Sequence, residues 1–124
     1  RDDVINTKNI TQGTINVASD KKITNTGNLT VNDNLDNKGL ITGTGILNIG
    51  DNAVADNTSG SVLQDVINIG NGANVKTNAD DFNALNGINN GGSLTYTGGK
   101  IISDISGAST GIVNLGVIDL INWL

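Results

Sequence analysis

The sequence predicts an all-β fold, a right-handed parallel β-helix or β-solenoid of about six coils of 18–20 residues, with one short helical turn near 79–86. Three observations predict it: a short strand unit that recurs along the chain, the interval between its copies, and a composition that supplies strand and turn residues but few helix formers. The unit is a turn residue followed by x-[Ile/Leu/Val]-[Asn/Thr]-[apolar or Tyr]. Val, Ile and Thr recur throughout, all twelve acidic residues are Asp, and Asn, Asp and 17 glycines supply turn chemistry. With one Phe, one Tyr and one Trp, any core is built from repeated small aliphatic side chains rather than large aromatic anchors.

The copies are Gly13–Val17, Gly27–Val31, Gly45–Ile49, Asp65–Ile69, Gly92–Tyr96 and Gly111–Leu115. Their central apolar members are Ile15, Leu29, Leu47, Ile67, Leu94 and Val113, and the steps in residue number between them are 14, 18, 20, 27 and 19. A step near 19 is too short for a propeller blade or a helical repeat and fits one solenoid coil. Between markers there is room for a second strand, such as Lys22-Ile23-Thr24 or Gly39–Thr42. Alternation sends Ile15 and Val17, Leu29 and Val31, and Leu47 and Ile49 to one face, with Asn16, Thr30 and Asn48 on the other. Each rung is too short to bury its own apolar side, so like residues stack over like at about 4.7 Å. Asparagines in register then form amide ladders. An antiparallel sandwich is the competing arrangement for this composition, and the recurring interval favours the solenoid.

The long step from Ile67 to Leu94 breaks the pattern and predicts an inserted loop over 76–90 in an otherwise single solenoid segment, 1–124, read as a piece of a longer repeat protein. Asn78 is placed to cap a helical turn, with Asp80 and Asp81 against its positive end. A loop projecting from a regular scaffold is a common recognition site, which makes Asp81 and Phe82 the candidate contact residues; the alternative folds Phe82 and Leu85 back on the flank. After Gly111 the chain becomes more apolar up to Trp123-Leu124, and this uncapped end is the expected junction for end-to-end association of copies.

Composition excludes much chemistry. There is no Cys, His or Met, which removes disulfides, Cys/His zinc sites and histidine acid–base catalysis; a chain without cysteine also suits export. Net charge is -5 with scattered lysines, so no nucleic-acid footprint or polybasic membrane contact is expected, and no apolar run reaches the ~20 residues that span a bilayer. Asp2-Asp3 and Asp80-Asp81 are adjacent pairs whose carboxylates diverge on a strand, so they do not make a glycosidase dyad. Ile69–Val75 is similar to a calcium-binding β-roll turn but occurs once, with Asn in place of the ligand Asp, and reads as a plain turn. No enzyme activity, cofactor or metal is expected. Thr24, Thr26, Thr42, Thr44, Thr95 and Thr97 occur as three Thr-x-Thr motifs, and stacked they would make a flat array resembling an ice-binding surface.

The stretch Ile23–Val31, continued by Gly39–Gly50, resembles the passenger domains of bacterial autotransporters, the type V secretion proteins, and related filamentous adhesins. The resemblance lies in the style of repeat and covers most of the chain. It implies a secreted stalk on the extracellular face of the outer membrane, attached through a separate barrel and engaged with a host-cell or matrix receptor or with another copy of itself. The alternatives are the ice-binding solenoid and a carbohydrate-binding, tailspike-like fibre fragment.

Overall fold

Short β-branched segments separated by Gly, Asn and Asp leave no strand long enough to bury a face alone, and the chain resolves this by winding. The computed structural model describes residues 3–107 and 111–114. The first coil comprises β1 (Val4–Asn6) and β2 (Asn9–Val17), the second β3 (Lys22–Asn25) and β4 (Asn28–Asn37). The third holds β5 (Leu40–Thr42), β6 (Ile46–Ile49) and β7 (Val54–Asn57); the fourth β8 (Ser61–Gln64), β9 (Val66–Ile69) and β10 (Asn74–Thr77). The fifth holds β11 (Phe82–Ala84), β12 (Ile88–Asn90) and β13 (Ser93–Tyr96), and β14 (Ile105–Ser106) and β15 (Gly111–Asn114) belong to a sixth.

Every strand pairing is parallel, and each strand pairs with its counterpart one coil away. The stack has three faces. The first is the sheet β1-β3-β5-β8-β11. The second and third share a sheet, because β2 and β4 run continuously round the corner between them: β4 pairs with β6 through Asn28–Val31 and with β7 through Asn34–Asp36. In later coils that corner is a turn, Gly50–Ala53 or Gly70–Ala73, closed by a bond from the alanine N–H to the glycine carbonyl, with Asn52 at φ 61° and Gly72 at φ 75°.

Alternate residues point inward and stack in columns. Ile23, Ile41, Val62 and Phe82 form the column of the first face. On the second, Ile10, Leu29, Leu47, Ile67, Ile88 and Ile105 follow one another at steps of 19, 18, 20, 21 and 17 in the numbering. On the third, Ile15, Leu35, Ala55, Val75 and Leu94 do the same at 20, 20, 20 and 19. Together these side chains make one core, each fully buried Leu or Ile contributing about 1.5–3 kcal/mol of transfer free energy. At the first coil the core opens into a cavity of about 780 Å³ lined by Val4, Ile10, Ile15, Val17, Ile23 and Leu29.

This register corrects the inserted loop predicted over 76–90. Ile67 lies on the second face and Leu94 on the third, so the long step between them compares different faces; the true partner of Ile67 is Ile88 and that of Leu94 is Val75. Residues 74–77, 82–84 and 88–90 are regular rungs. The helical turn exists as a single 3₁₀ turn over Ala79–Asp81, with the Asn78 side chain accepting from the Asp80 N–H at 2.9 Å. The apolar segment ending at Trp123-Leu124 lies outside the described residues.

Amide ladders occupy two corners. Asn37 Nδ2 donates to Asn57 Oδ1 at 2.7 Å, and Asn57 Nδ2 donates to Thr77 Oγ1 at 3.0 Å; all three residues are fully buried. At the other corner Asn6 Nδ2 donates to Asn25 Oδ1 at 2.9 Å. The next coil has Gly43 there, at φ +117°, where an added Cβ would lie 2.4 Å from the Asn25 carbonyl oxygen. Gln64, one coil further on, reaches across this gap: its Oε1 accepts from Asn25 Nδ2 at 2.7 Å, and its Nε2 donates to the Gly43 carbonyl at 3.3 Å and its neighbour Leu63's at 3.0 Å.

Candidate interaction face

The three faces differ in charge because they differ in the residues at outward positions. Strands of the first face carry Lys22, and those of the third carry Asp36, Asp56 and Lys76. Those of the second face carry no charged residue at all: Asn9–Gln12, Asn28–Val31, Ile46–Ile49, Val66–Ile69, Ile88–Asn90 and Ile105–Ser106 are apolar or neutral polar throughout. On a chain of net charge -5 this is a distinct surface.

Register sets its pattern. Thr11, Thr30, Asn48, Asn68, Asn89 and Ser106 form one outward row, and Asn9, Asn28, Ile46 and Val66 form a second, two positions away along each strand. Within the first row Asn68 Nδ2 donates to Asn48 Oδ1 at 2.9 Å and Asn48 Nδ2 to Thr30 Oγ1 at 3.3 Å; in the second, Asn28 Nδ2 donates to Asn9 Oδ1 at 2.9 Å. Lateral bonding fixes the rotamers, so a partner meets an ordered surface and little side-chain entropy remains to be lost. With no ion to desolvate, close approach costs less than on the other faces.

The sequence-predicted site residues fall elsewhere. Phe82 is 1% exposed and lies over Val62, inside the core, because its strand position is the inward one; it offers no contact surface. Asp81 is exposed at the end of the 3₁₀ turn, so the predicted pair is divided between surface and core. Asp80 is occupied in turn structure, its Oδ1 accepting from the Lys100 N–H at 2.9 Å. Thr24 and Thr42 are register partners on the first face, with Thr26 and Thr44 exposed just beyond those strands. That row then passes to Leu63 and Asn83. Thr95 lies on the third face, paired with Lys76 and Val113, with Thr97 beyond its strand, so the six threonines do not form one array. Among the described residues no three acidic side chains converge on a point that could hold a metal ion.

Two groups have displaced acidities. The backbone N–H and then the hydroxyl of Thr58, bonded to Asp56 Oδ1 at 2.9 and 2.7 Å, hold the Asp56 carboxyl below its ordinary value. Burial pushes the Tyr96 phenol above its ordinary value.

The chain matches no protein-family model, no curated protein and no solved structure. The uncharged face was missed at the sequence level although its signal was present: the Asn/Thr positions of the repeat, Thr30, Asn48 and Asn68, are the outward row.

Proposed function

We propose that this chain is a non-enzymatic structural and adhesive stalk segment of a secreted bacterial surface protein. The observation that carries the reading is the uncharged, laterally bonded second face, presented on a stack held by aliphatic core columns and corner ladders. Such a face suits broad, weak, multivalent attachment, in which each coil adds a similar increment. The partner is a host-cell or matrix receptor, or another copy of the chain. The test uses microspheres coated with the full chain, applied to cultured epithelial cells and to collagen-coated plastic. Replacing Thr30, Asn48 and Asn68 together by Asp should abolish attachment, whereas three Asp at Thr24, Thr42 and Asn83 on the first face should not. Equal loss from both variants, or no attachment by the parent chain, overturns the proposal.

A second reading, ice binding, is favoured by a different feature from the threonine motifs: the outward row from Thr11 to Ser106 on the second face places a neutral polar side chain on every coil, at the ~4.7–4.9 Å spacing of paired strands. It predicts thermal hysteresis that disappears on Asn48→Lys. Absence of hysteresis in the parent chain removes it.

A further inference from the structure

The chain contains three Asn-Gly dipeptides, Asn71-Gly72, Asn86-Gly87 and Asn90-Gly91. Asparagine is thermally labile, and most so before glycine, where no Cβ shields the following N–H from the asparagine side chain. The reaction needs two groups free at once, the side-chain amide and the glycine N–H. The fold withholds them at two of the three sites. Asn90 is buried out of reach of water, its Oδ1 accepts from the Gly92 N–H at 3.0 Å, and the Gly91 N–H donates to the Ile69 carbonyl at 2.8 Å. Asn86 is exposed, but its Nδ2 donates to Asp65 Oδ1 and the Gly87 N–H donates to the Ala84 carbonyl at 3.2 Å.

Asn71 and Gly72 are both exposed, at the tip of the turn Gly70–Ala73. The next coil crosses this corner with only Gly91 and Gly92, because Ile69 pairs with Asn90 and Asn74 with Ser93. The tip therefore stands clear of the coil that follows. From the coil before it, Asp51 Oδ1 accepts from the Asn71 N–H at 2.9 Å, and the Asn52 N–H donates to the Asn71 carbonyl at 3.0 Å. These bonds hold the Asn71 backbone, yet neither its side-chain amide nor the Gly72 N–H has a hydrogen-bond partner among the described residues. The bond to the Asn71 carbonyl also polarises the peptide group that contains the Gly72 nitrogen, which makes that N–H more acidic.

We propose that Asn71 is a site of spontaneous deamidation in the folded chain, with water as the only co-reactant, and that the fold selects it over Asn86 and Asn90. The Gly72 nitrogen gives its proton to hydroxide and attacks Asn71 Cγ. An N–C bond forms, the Cγ–Nδ2 bond breaks, and the nitrogen leaves with that electron pair as ammonia, taking a proton from water. Water then opens the five-membered imide. Attack at Cγ gives aspartate, and attack at the main-chain carbonyl gives isoaspartate, with the chain rerouted through the side chain. In sum, one amide and one water become one carboxylate and one ammonium ion. Either product sets a new carboxylate near Asp51 at the corner between the second and third faces, on a chain already of net charge -5. Isoaspartate also adds a methylene to the main chain of a turn closed by the Ala73 N–H on the Gly70 carbonyl at 3.2 Å. The stack thus carries a slow, one-way change of charge at one edge of its uncharged face.

The test warms the folded full chain in mildly alkaline buffer, alongside synthetic peptides spanning residues 67–75 and 82–94. Cleavage after lysine separates Asn71, in fragment 39–76, from Asn86 and Asn90, in fragment 77–100. Tandem mass spectrometry assigns each conversion and tells isoaspartate from aspartate. At each site the rate in the folded chain is divided by the rate in the peptide, and the ratio at Asn71 should exceed those at Asn86 and Asn90 at least tenfold. Asn71→Gln, an exposed substitution whose longer side chain must close a six-membered ring, should stop conversion at position 71 and leave far-UV circular dichroism unchanged. A ratio at Asn86 or Asn90 within tenfold of that at Asn71, an unconverted Asn71 in the folded chain, or undiminished conversion in the Gln variant overturns the proposal.

Discussion

Shortening Gln64 by one methylene, Gln64→Asn, tests whether the amide ladder bridges the coil that lacks an amide. Gln64 is fully buried and spans from the fourth coil to Asn25 in the second, above Gly43. One C–C bond is about 1.5 Å, so the 2.7 Å contact to Asn25 Nδ2 opens to roughly 4 Å, beyond hydrogen-bond range. Asn25 keeps its second acceptor, the Ile46 carbonyl at 3.0 Å. The shortened side chain is left with a stranded buried oxygen, which costs about 1–3 kcal/mol, and with the void of a methylene, about 1 kcal/mol. The expected loss is about 2–4 kcal/mol, read from urea unfolding followed by far-UV circular dichroism. Leu63→Asn, at the exposed neighbouring position, should change stability by no more than about 0.5 kcal/mol. Adding an amide at position 43 cannot rescue the variant, because Gly43→Asn places a Cβ against the Asn25 carbonyl at a positive φ. A Gln64→Asn protein within about 0.5 kcal/mol of the parent would refute the bridging argument.

Phe82→Ala empties the largest position of the first-face column and should cost about 3–5 kcal/mol, seen as a fall in the urea midpoint, while Asp81→Ala, exposed, leaves the midpoint unchanged. Thr58→Ala returns the Asp56 carboxyl toward its ordinary value of 3.8. Because the folded group is the stronger acid, the parent's advantage over the variant is present above pH 3.8 and vanishes as pH falls through the depressed value; unfolding measured from neutral to acid pH checks it. Tyr96 is the only tyrosine, and its folded acidity is weaker than the ordinary value of 10.0. Its stabilising contribution is therefore complete below pH 10.0 and lost as pH rises from there toward the folded value, and an alkaline absorbance titration should show no phenolate until the chain unfolds.

The architecture was legible because stacking imposes a period, and Leu29, Leu47 and Ile67 are successive members of one column. What the period does not carry is the identity of the face. Ile15 and Leu94 sit in strands of the same form as Leu29 but on the third face, so the sequence markers crossed a corner twice and a regular chain looked interrupted. The partners that close the gap are single apolar residues among polar ones or glycine, Val75 between Asn74 and Lys76 and Ile88 between Gly87 and Asn89. Phe82 was misplaced for the same reason, since its inward position follows only from the register with Val62. Gln64 could not be found from spacing, because its partner Asn25 lies two coils back, across a coil that contributes only a glycine.

The asparagine ladders also have a direction. In the side-chain-to-side-chain bonds of the buried corner ladders each donor points toward the later coil: Asn6 to Asn25, Asn25 to Gln64, Asn37 to Asn57 and Asn57 to Thr77. On the surface the order is reversed, with Asn28 donating to Asn9, Asn48 to Thr30, Asn68 to Asn48 and Asn86 to Asp65. Side-chain amide dipoles therefore run up the inside of the stack and down its outside. Their opposition limits the axial field that would otherwise accumulate with every added coil, so lengthening such a stack carries little electrostatic penalty from its own side chains.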